Sequence, residues 1–377
     1  MPLFIGLMSG TSLDGIDAAL LRCGEGPPEL LDAAGVSMPE ELRQRLLTLC
    51  QSRSATFSEL AAAEAAFCRL QAEAIACLLE KSGTPAGAIT AIGSHGQTIE
   101  HAPYGYSPGN EPPYTCQLDN PSLLTELCGI DVVADFRRRD LAAGGQAAPL
   151  APAFHAALFA APDEWRLVLN LGGFANLTLL PPVSLDAPVI GFDTGPANAL
   201  LDAWYARHHP GRYDADGAWA AGGRVDRALL ARLLDDAFFR RPPPKSTGRE
   251  VFHLDWLQAR LGGSEAPQDV QATLAELTAA SVALGIDQAV RQRSASGDMT
   301  LIPCGGGAHN PDLMERLARR LPNVTIASCD SVGWSPDWLE AGAFAWLAWR
   351  RIERLPGNLP SVTGAAGPRV LGGIYSA

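Results

Sequence analysis

Charge is scarce in this chain. Only 19% of its residues are Asp, Glu, Lys or Arg, and they balance at −12. That acidic balance excludes general affinity for nucleic acid or for an anionic membrane surface. The one basic cluster, Arg137-Arg138-Arg139, stands between Asp135 and Asp140. It reads as a local site or an ion-pair network. None of the eight cysteines forms a CxxC pair, and no His/Cys cluster has zinc-ligand spacing. A zinc site is thereby set aside, and buried free thiols are expected. No apolar run approaches a membrane span, and the N-terminus lacks a basic leader. A cytoplasmic protein is expected, without a low-complexity tail.

What the chain has in quantity is apolar residues, 47% of 377, enough for large cores and too long for one ordinary domain. Apolar runs at 3–8 and 16–21 read as strands joined by Ser9-Gly10-Thr11-Ser12-Leu13-Asp14-Gly15-Ile16-Asp17. Glycine lets such a loop turn and approach a ligand, and a row of backbone N–H groups can cradle phosphate oxygens. Asp14 and Asp17 repel phosphate, but either could hold Mg²⁺ through water. Alone, the segment reads better as an ordinary hairpin. The plan recurs, however. Runs at 166–171 and 174–180 flank Gly172-Gly173, and Cys304-Gly305-Gly306-Gly307 follows the apolar segment 299–303. Three glycine turns after strands suggest a duplicated nucleotide-binding architecture.

Helices are expected where caps and periodicity agree. Ser37/Glu40 and Thr56/Glu59 have capping-box spacing, before helices at about 40–50 and 56–81. Further helices are read at 121–128, 149–160, 198–207, 225–239, 270–293 and 312–321. A last one starts at Ser335-Pro336 and runs to about 354. Strands alternate with helices throughout, so the class is α/β. The Pro/Gly-rich stretch 107–113 reads as a surface loop. Glycine-rich joints at 142–146 and near Gly342 could absorb a rotation.

Asp193 is the leading catalytic candidate. It ends an apolar strand in a Gly/Pro turn before a helix, where a carboxylate of an open α/β sheet faces ligand and can take a proton. It could equally cap that helix. His95 and Gln97 could hydrogen-bond a sugar, Arg137 could clamp a carboxylate, and Glu340 could reach a polar ligand. Lys245-Ser246-Thr247-Gly248 is not a Walker A loop, because prolines replace the required glycine. A nucleotide contact there stays open.

The motifs SGTSLDGID at 9–17, IGSHGQT at 92–98, DVVADFRRRDLAAGGQ at 131–146 and NLGGFAN at 170–176 then recur with GFDTGPAN at 191–198, DGAWAA at 216–221, PKSTGRE at 244–250 and CGGGAHN at 304–310. Together, and nearly across the chain, they resemble the anhydro-N-acetylmuramic acid kinase family. The resemblance implies the two-lobed actin-like ATPase fold (ribonuclease H-like) with an ATP cleft between duplicated domains. Lobe I would be 1–140 plus 341–377, and lobe II 141–340. It implies an ATP- and Mg²⁺-dependent kinase of peptidoglycan recycling. Such an enzyme opens 1,6-anhydro-N-acetylmuramic acid with water and phosphorylates O6. By the same match Asp193 is the base. Gly10 to Asp17, Gly172, Gly173, Gly305 and Gly306 serve ATP, while His95, Gln97, Arg137 and Glu340 serve the sugar. A homodimer is left open. The alternatives are a kinase of this superfold acting on another sugar or small acid, or a non-enzymatic ATP-dependent clamp.

Overall fold

The computed structural model describes every residue except 11, 53, 106–110, 250 and 294–296, together with the side chains of 292 and 293. The expected phosphate-loop residue Thr11 and most of the loop at 107–113 therefore lie outside the described residues. The chain divides into two compact units, Met1–Leu158 with Trp338–Ala377, and Phe159–Asp337.

In the first unit β1 (Leu3–Met8), β2 (Gly15–Arg22) and β3 (Glu29–Ser37) form an antiparallel meander. The helix Phe57–Ser82 leads to β4 (Ile89–Ser94), which pairs parallel with β1. A separate hairpin follows, β5 (Gln97–Ala102) with β6 (Tyr114–Leu118). Then β7 (Val132–Ala134) joins β4 in parallel, and the C-terminal strand Gly373–Tyr375 closes the edge. In the second unit β8 (Trp165–Leu171), β9 (Phe174–Leu180) and β10 (Ile190–Pro196) repeat the meander. The helix Pro267–Arg293 crosses to β11 (Met299–Cys304), parallel to β8, and β12 (Thr325–Ile326) lies parallel to β11. Numbering each unit's sheet strands in chain order gives 3-2-1-4-5-6 in the first and 3-2-1-4-5 in the second, with the same pairing sense over the five they share. This is the ribonuclease H-like plan of the actin-like ATPases, present twice.

Each sheet is buried by its crossover helix. Ile5, Leu7, Ala18 and Leu20 pack with Phe67, Leu70 and Ile75 in the first unit. Leu167, Leu169, Leu177 and Phe192 pack with Ala279, Val282 and Ile286 in the second. The helix Leu339–Ile352 lies directly on the backbone of the first sheet. A Cβ on Gly6 would sit 1.9 Å from the Ala341 carbonyl oxygen, and one on Gly93 would sit 2.0 Å from that of Phe344.

Local departures from the expected elements have identifiable causes. Thr56 and Glu59 form the capping box, but Ser37 and Glu40 do not. Ser37 is held by the sheet, opposite Gly15. The helix expected from Ser335-Pro336 starts at Leu339 instead, because the Pro336 carbonyl accepts from Gly305 N at 3.2 Å. The expected helix 225–239 is two, Arg227–Leu234 and Ala237–Arg240, each capped by its own aspartate, Asp226 and Asp236. Among the cysteines, Cys23, Cys68, Cys304 and Cys329 are buried as expected, but Cys50 and Cys77 are exposed. Neither expected joint is free. Gly342 lies inside the helix Leu339–Ile352, and a Cβ on Gly145 would meet the Asp140 carboxylate at 2.2 Å.

Candidate active site

In the first unit, the turn between β1 and β2 is held by its own polar groups. Ser9 Oγ donates to the Gly15 carbonyl at 3.0 Å, and Leu13 N donates to that of Gly10 at 3.3 Å. Leu13 has φ +58°. The glycines differ in kind. A Cβ on Gly15 would strike the Val36 carbonyl oxygen at 2.3 Å, so this glycine serves the strand pairing. A Cβ on Gly10 would meet only Ser12 Oγ, at 3.6 Å, which leaves open space of the sort a phosphate needs. Leu13 and Ile16 are core side chains, so only their main chain can face a ligand. Ser12 and Asp14 are exposed, and Asp17 is half-buried on β2.

Of the four expected sugar residues, Arg137 is linked to His95 by a hydrogen bond and to Glu340 through charge. Arg137 Nε donates to His95 Nε2 at 3.0 Å, and its Nη1 donates to the Ala147 carbonyl at 2.7 Å. Accepting at Nε2 leaves the imidazole proton on Nδ1. Burial, and then the Arg137 charge, hold His95 well below the usual histidine range, so the ring is neutral. Burial also lowers Arg137 to about 10, opposed by the carboxylates of Glu340 and Asp140. Glu340 is exposed in the first turn of its helix, and the His95 ring rests on Phe344 at 4.6 Å. Among the described residues, the buried atoms His95 Nδ1 and Gln97 Oε1 have no hydrogen-bond partner. An unsatisfied donor and acceptor this close in sequence suit a polyhydroxylated ligand, because leaving them unpaired is costly. Of the neighbouring arginines, Arg138 pairs with Asp135 at 3.7 Å. Asp140 is a structural hub that accepts from Ala147 N, Asn358 Nδ2 and Thr363 Oγ1.

In the second unit, Asp193 lies where the register of β10 against β9 shifts, between Asp193 and Gly195. Such a bulge re-aims a side chain. The carboxylate does not cap the following helix, whose cap residue is Ala197. Instead Asn176 Nδ2 donates to Oδ1 at 2.8 Å and Thr247 N donates to Oδ2 at 2.9 Å. Asp193 N in turn donates to the Lys245 carbonyl at 2.8 Å. The residue stays half-exposed. Asn176, Lys245 and Thr247 were not singled out as partners of Asp193 in the sequence. The chain had shown only that they sit in motifs, NLGGFAN and PKSTGRE.

The glycine turns of this unit also divide. At Gly172 and Gly173 an added Cβ would find nothing closer than 3.6 Å. Their carbonyls accept from Asn198 N and Ala197 N at the start of the helix Asn198–His208. Gly305 has φ +74°, and a Cβ there would strike Asn170 Oδ1 at 2.4 Å, so both conformation and space require glycine. Gly306 is open. It lines a pocket of about 410 Å³ with Asn198, Asp202, Asp216 and His309. His309 Nε2 is 2.8 Å from Asp337 Oδ1.

The family model of anhydro-N-acetylmuramic acid kinase matches residues 2–377. The chain belongs to the anhydro-N-acetylmuramic acid kinase family. A protein of that name from Chromohalobacter salexigens is 67% identical over 376 residues, covering all of both chains. One from Xylella fastidiosa is 52% identical over 381 residues, covering 100% of this chain and 97% of the relative. A solved activator of 2-hydroxyisocaproyl-CoA dehydratase from Clostridium difficile superposes with a TM-score of 0.45 at 13% identity, covering 93% of this chain and 96% of that one. That likeness is too loose to carry an argument, and the fold rests on the repeated strand order. Among the described residues, no helix is long and apolar enough to cross a membrane.

Proposed function

We propose that this chain, as an anhydro-N-acetylmuramic acid kinase, opens the 1,6-anhydro bond of its sugar with water and transfers the γ-phosphoryl group of ATP to O6. The observation that carries this reading in the chain itself is Asp193, a half-exposed carboxylate held by the Asn176 side chain and the Thr247 main chain. A base so held keeps its direction while it takes a proton. The water oxygen bonds to C1, its proton passes to Asp193, and the C1–O6 bond breaks. O6 then bonds to the γ-phosphorus as the bond to the ADP oxygen breaks. The anhydro sugar, one water and one ATP enter, and N-acetylmuramic acid 6-phosphate, ADP and the proton taken up by Asp193 leave.

The remaining roles follow the same reading. Neutral His95, Gln97, Arg137 and Glu340 bind the sugar, the arginine through a carboxylate. The open glycines Gly10, Gly172 and Gly173 take phosphate oxygens, and the pocket beside Gly306 takes the adenosine. Asp14 and Asp17 supply hard oxygen donors, which suit Mg²⁺. Among the described residues, no group of three acidic, His or Cys side chains could hold a metal by itself. The ion would therefore complete its shell with water and nucleotide oxygens, as Mg²⁺ commonly does. When bound, it neutralises charge on the phosphates. The reaction belongs to cell-wall recycling in the cytoplasm.

The test is ADP release coupled to a reporter, with the anhydro sugar against N-acetylmuramic acid, N-acetylglucosamine and glucose. Only the anhydro sugar should support turnover. In ¹⁸O-labelled water, quenched quickly, the label should enter the hydroxyl at C1 and not the phosphate. Equal turnover with the plain sugars, or label in the phosphate, would overturn the reading.

A further inference from the structure

Lys245 is a buried cation that the proposed chemistry leaves unused. It is 5% exposed, and among the described residues no carboxylate pairs with it. Buried and turned inward, its ammonium is not offered to a phosphate. Nζ donates instead to the carbonyls of Phe238 at 3.2 Å and Phe239 at 3.5 Å, and to Gln288 Oε1 at 3.4 Å. The Phe238 ring lies 4.7 Å from Nζ. Gln288 Nε2 closes the cluster by donating to the Phe239 carbonyl at 2.9 Å. Three segments are thus tied to one ammonium: the short helix Ala237–Arg240, the long helix Pro267–Arg293, and the loop that carries Lys245 itself.

That loop is the one holding Asp193. The Lys245 carbonyl accepts from Asp193 N, and two residues on, Thr247 N donates to Asp193 Oδ2. Phe239, whose carbonyl the ammonium grips, also packs against the β10 bulge. A Cβ on Gly195 would come within 2.9 Å of its ring. A buried ammonium is costly unless its donors are satisfied, so it is retained where its geometry matters. We propose that Lys245 is a positioning residue for Asp193, anchoring through its side chain the loop whose main chain sets the direction of the carboxylate.

The inference rests on Asp193 being the base, and the experiment separates the two. Turnover is measured for wild type, Lys245→Met, Asp193→Asn and the double variant, with both substrates varied. Misplacing a reacting group by a fraction of an ångström to an ångström costs up to about 10²-fold, so Lys245→Met should lower kcat on the order of 10–100-fold. KM for both substrates should stay within about threefold, because binding is not what the anchor serves. In the Asp193→Asn background the same substitution should change kcat by less than about twofold, since there is no base left to aim. Near wild-type turnover of Asp193→Asn would overturn the base. An unchanged kcat in Lys245→Met, or an equal loss with and without Asp193, would overturn the positioning role while leaving the base intact. Should Lys245→Met fail to fold by circular dichroism, Gln288→Met loosens the same anchor from the long helix without touching Asp193. It should show a smaller loss, roughly 3–10-fold, that likewise vanishes in the Asp193→Asn background.

Discussion

Replacing Asp193 by asparagine and by alanine should separate its chemistry from its structural role. Both remove the base, so both should lose on the order of 10²–10⁴ in kcat. Their effects on the fold should differ. Thr247 N can only donate, so an asparagine at 193 must turn its carbonyl oxygen toward it. Its amide nitrogen then faces Asn176, which can rotate its own carboxamide to present oxygen instead of nitrogen. Both contacts survive, and Asp193→Asn should cost less than about 1 kcal/mol. Alanine leaves the Thr247 N–H with no acceptor, an unsatisfied donor worth about 1–3 kcal/mol. At roughly 2–4 °C per kcal/mol for a unit of this size, Asp193→Ala should melt several degrees lower than Asp193→Asn. Coupled ADP release and thermal scanning on the same preparations give both numbers. Asp193→Asn with turnover within tenfold of wild type would refute the base. Equal melting of the two variants would refute the hydrogen-bond reasoning.

Other expectations follow from the same contacts. Arg137→Met should raise KM for the sugar at least tenfold, because it removes the donor that fixes His95 and the cation offered to a carboxylate, and should also lower the melting temperature, because the Ala147 carbonyl loses that donor; steady-state kinetics with the sugar varied, and thermal scanning, would check it. Gly10→Ala should fold normally but weaken ATP binding in calorimetry, whereas Gly15→Ala should lower stability, since its Cβ would strike the β3 backbone. Burial lifts the Asp119 carboxyl from 3.8 to about 6, against the Ser94 hydroxyl that donates to it at 2.7 Å. A raised carboxyl favours the fold below about pH 4 and loses that advantage as pH climbs through 6, a span of about 3 kcal/mol. Asp119→Asn should therefore gain stability relative to wild type between those values, read from denaturant midpoints across pH; parallel pH curves would count against it.

The sequence carried the strands and turns further than it carried the contacts. The limits of β1 and β9 were legible because apolar runs end at glycine, serine or proline, which mark turns by local chemistry alone. The capping box at Thr56 was legible for the same reason, as all its parts lie within four residues. What failed depended on distant partners. Ser37 was read as a cap because nothing local reveals that it pairs with Gly15. Ser335-Pro336 was read as a helix start because the acceptance from Gly305 is invisible along the chain. Asp193 was expected just past the end of a strand, but β10 runs on to Pro196 and carries it at a bulge, and its anchors lie 17 and 54 residues away, so its setting needed the fold. Likewise a glycine required by packing, such as Gly15, and one standing open, such as Gly10, look identical in sequence.

The backbone-on-backbone seat of the helix Leu339–Ile352 on Gly6 and Gly93 bears on the order in which the protein takes form during synthesis. The second unit is one continuous stretch of chain, so everything it needs is present once residue 337 has been made. The first unit begins at residue 1 but cannot cover its central strands until the helix at 339–352 arrives. Its apolar sheet face therefore waits through the making of nearly two hundred further residues. At about 5–20 residues per second that wait lasts roughly 10–40 seconds. The half of the chain made first is the half finished last, and during that interval it is the part most dependent on protection from aggregation.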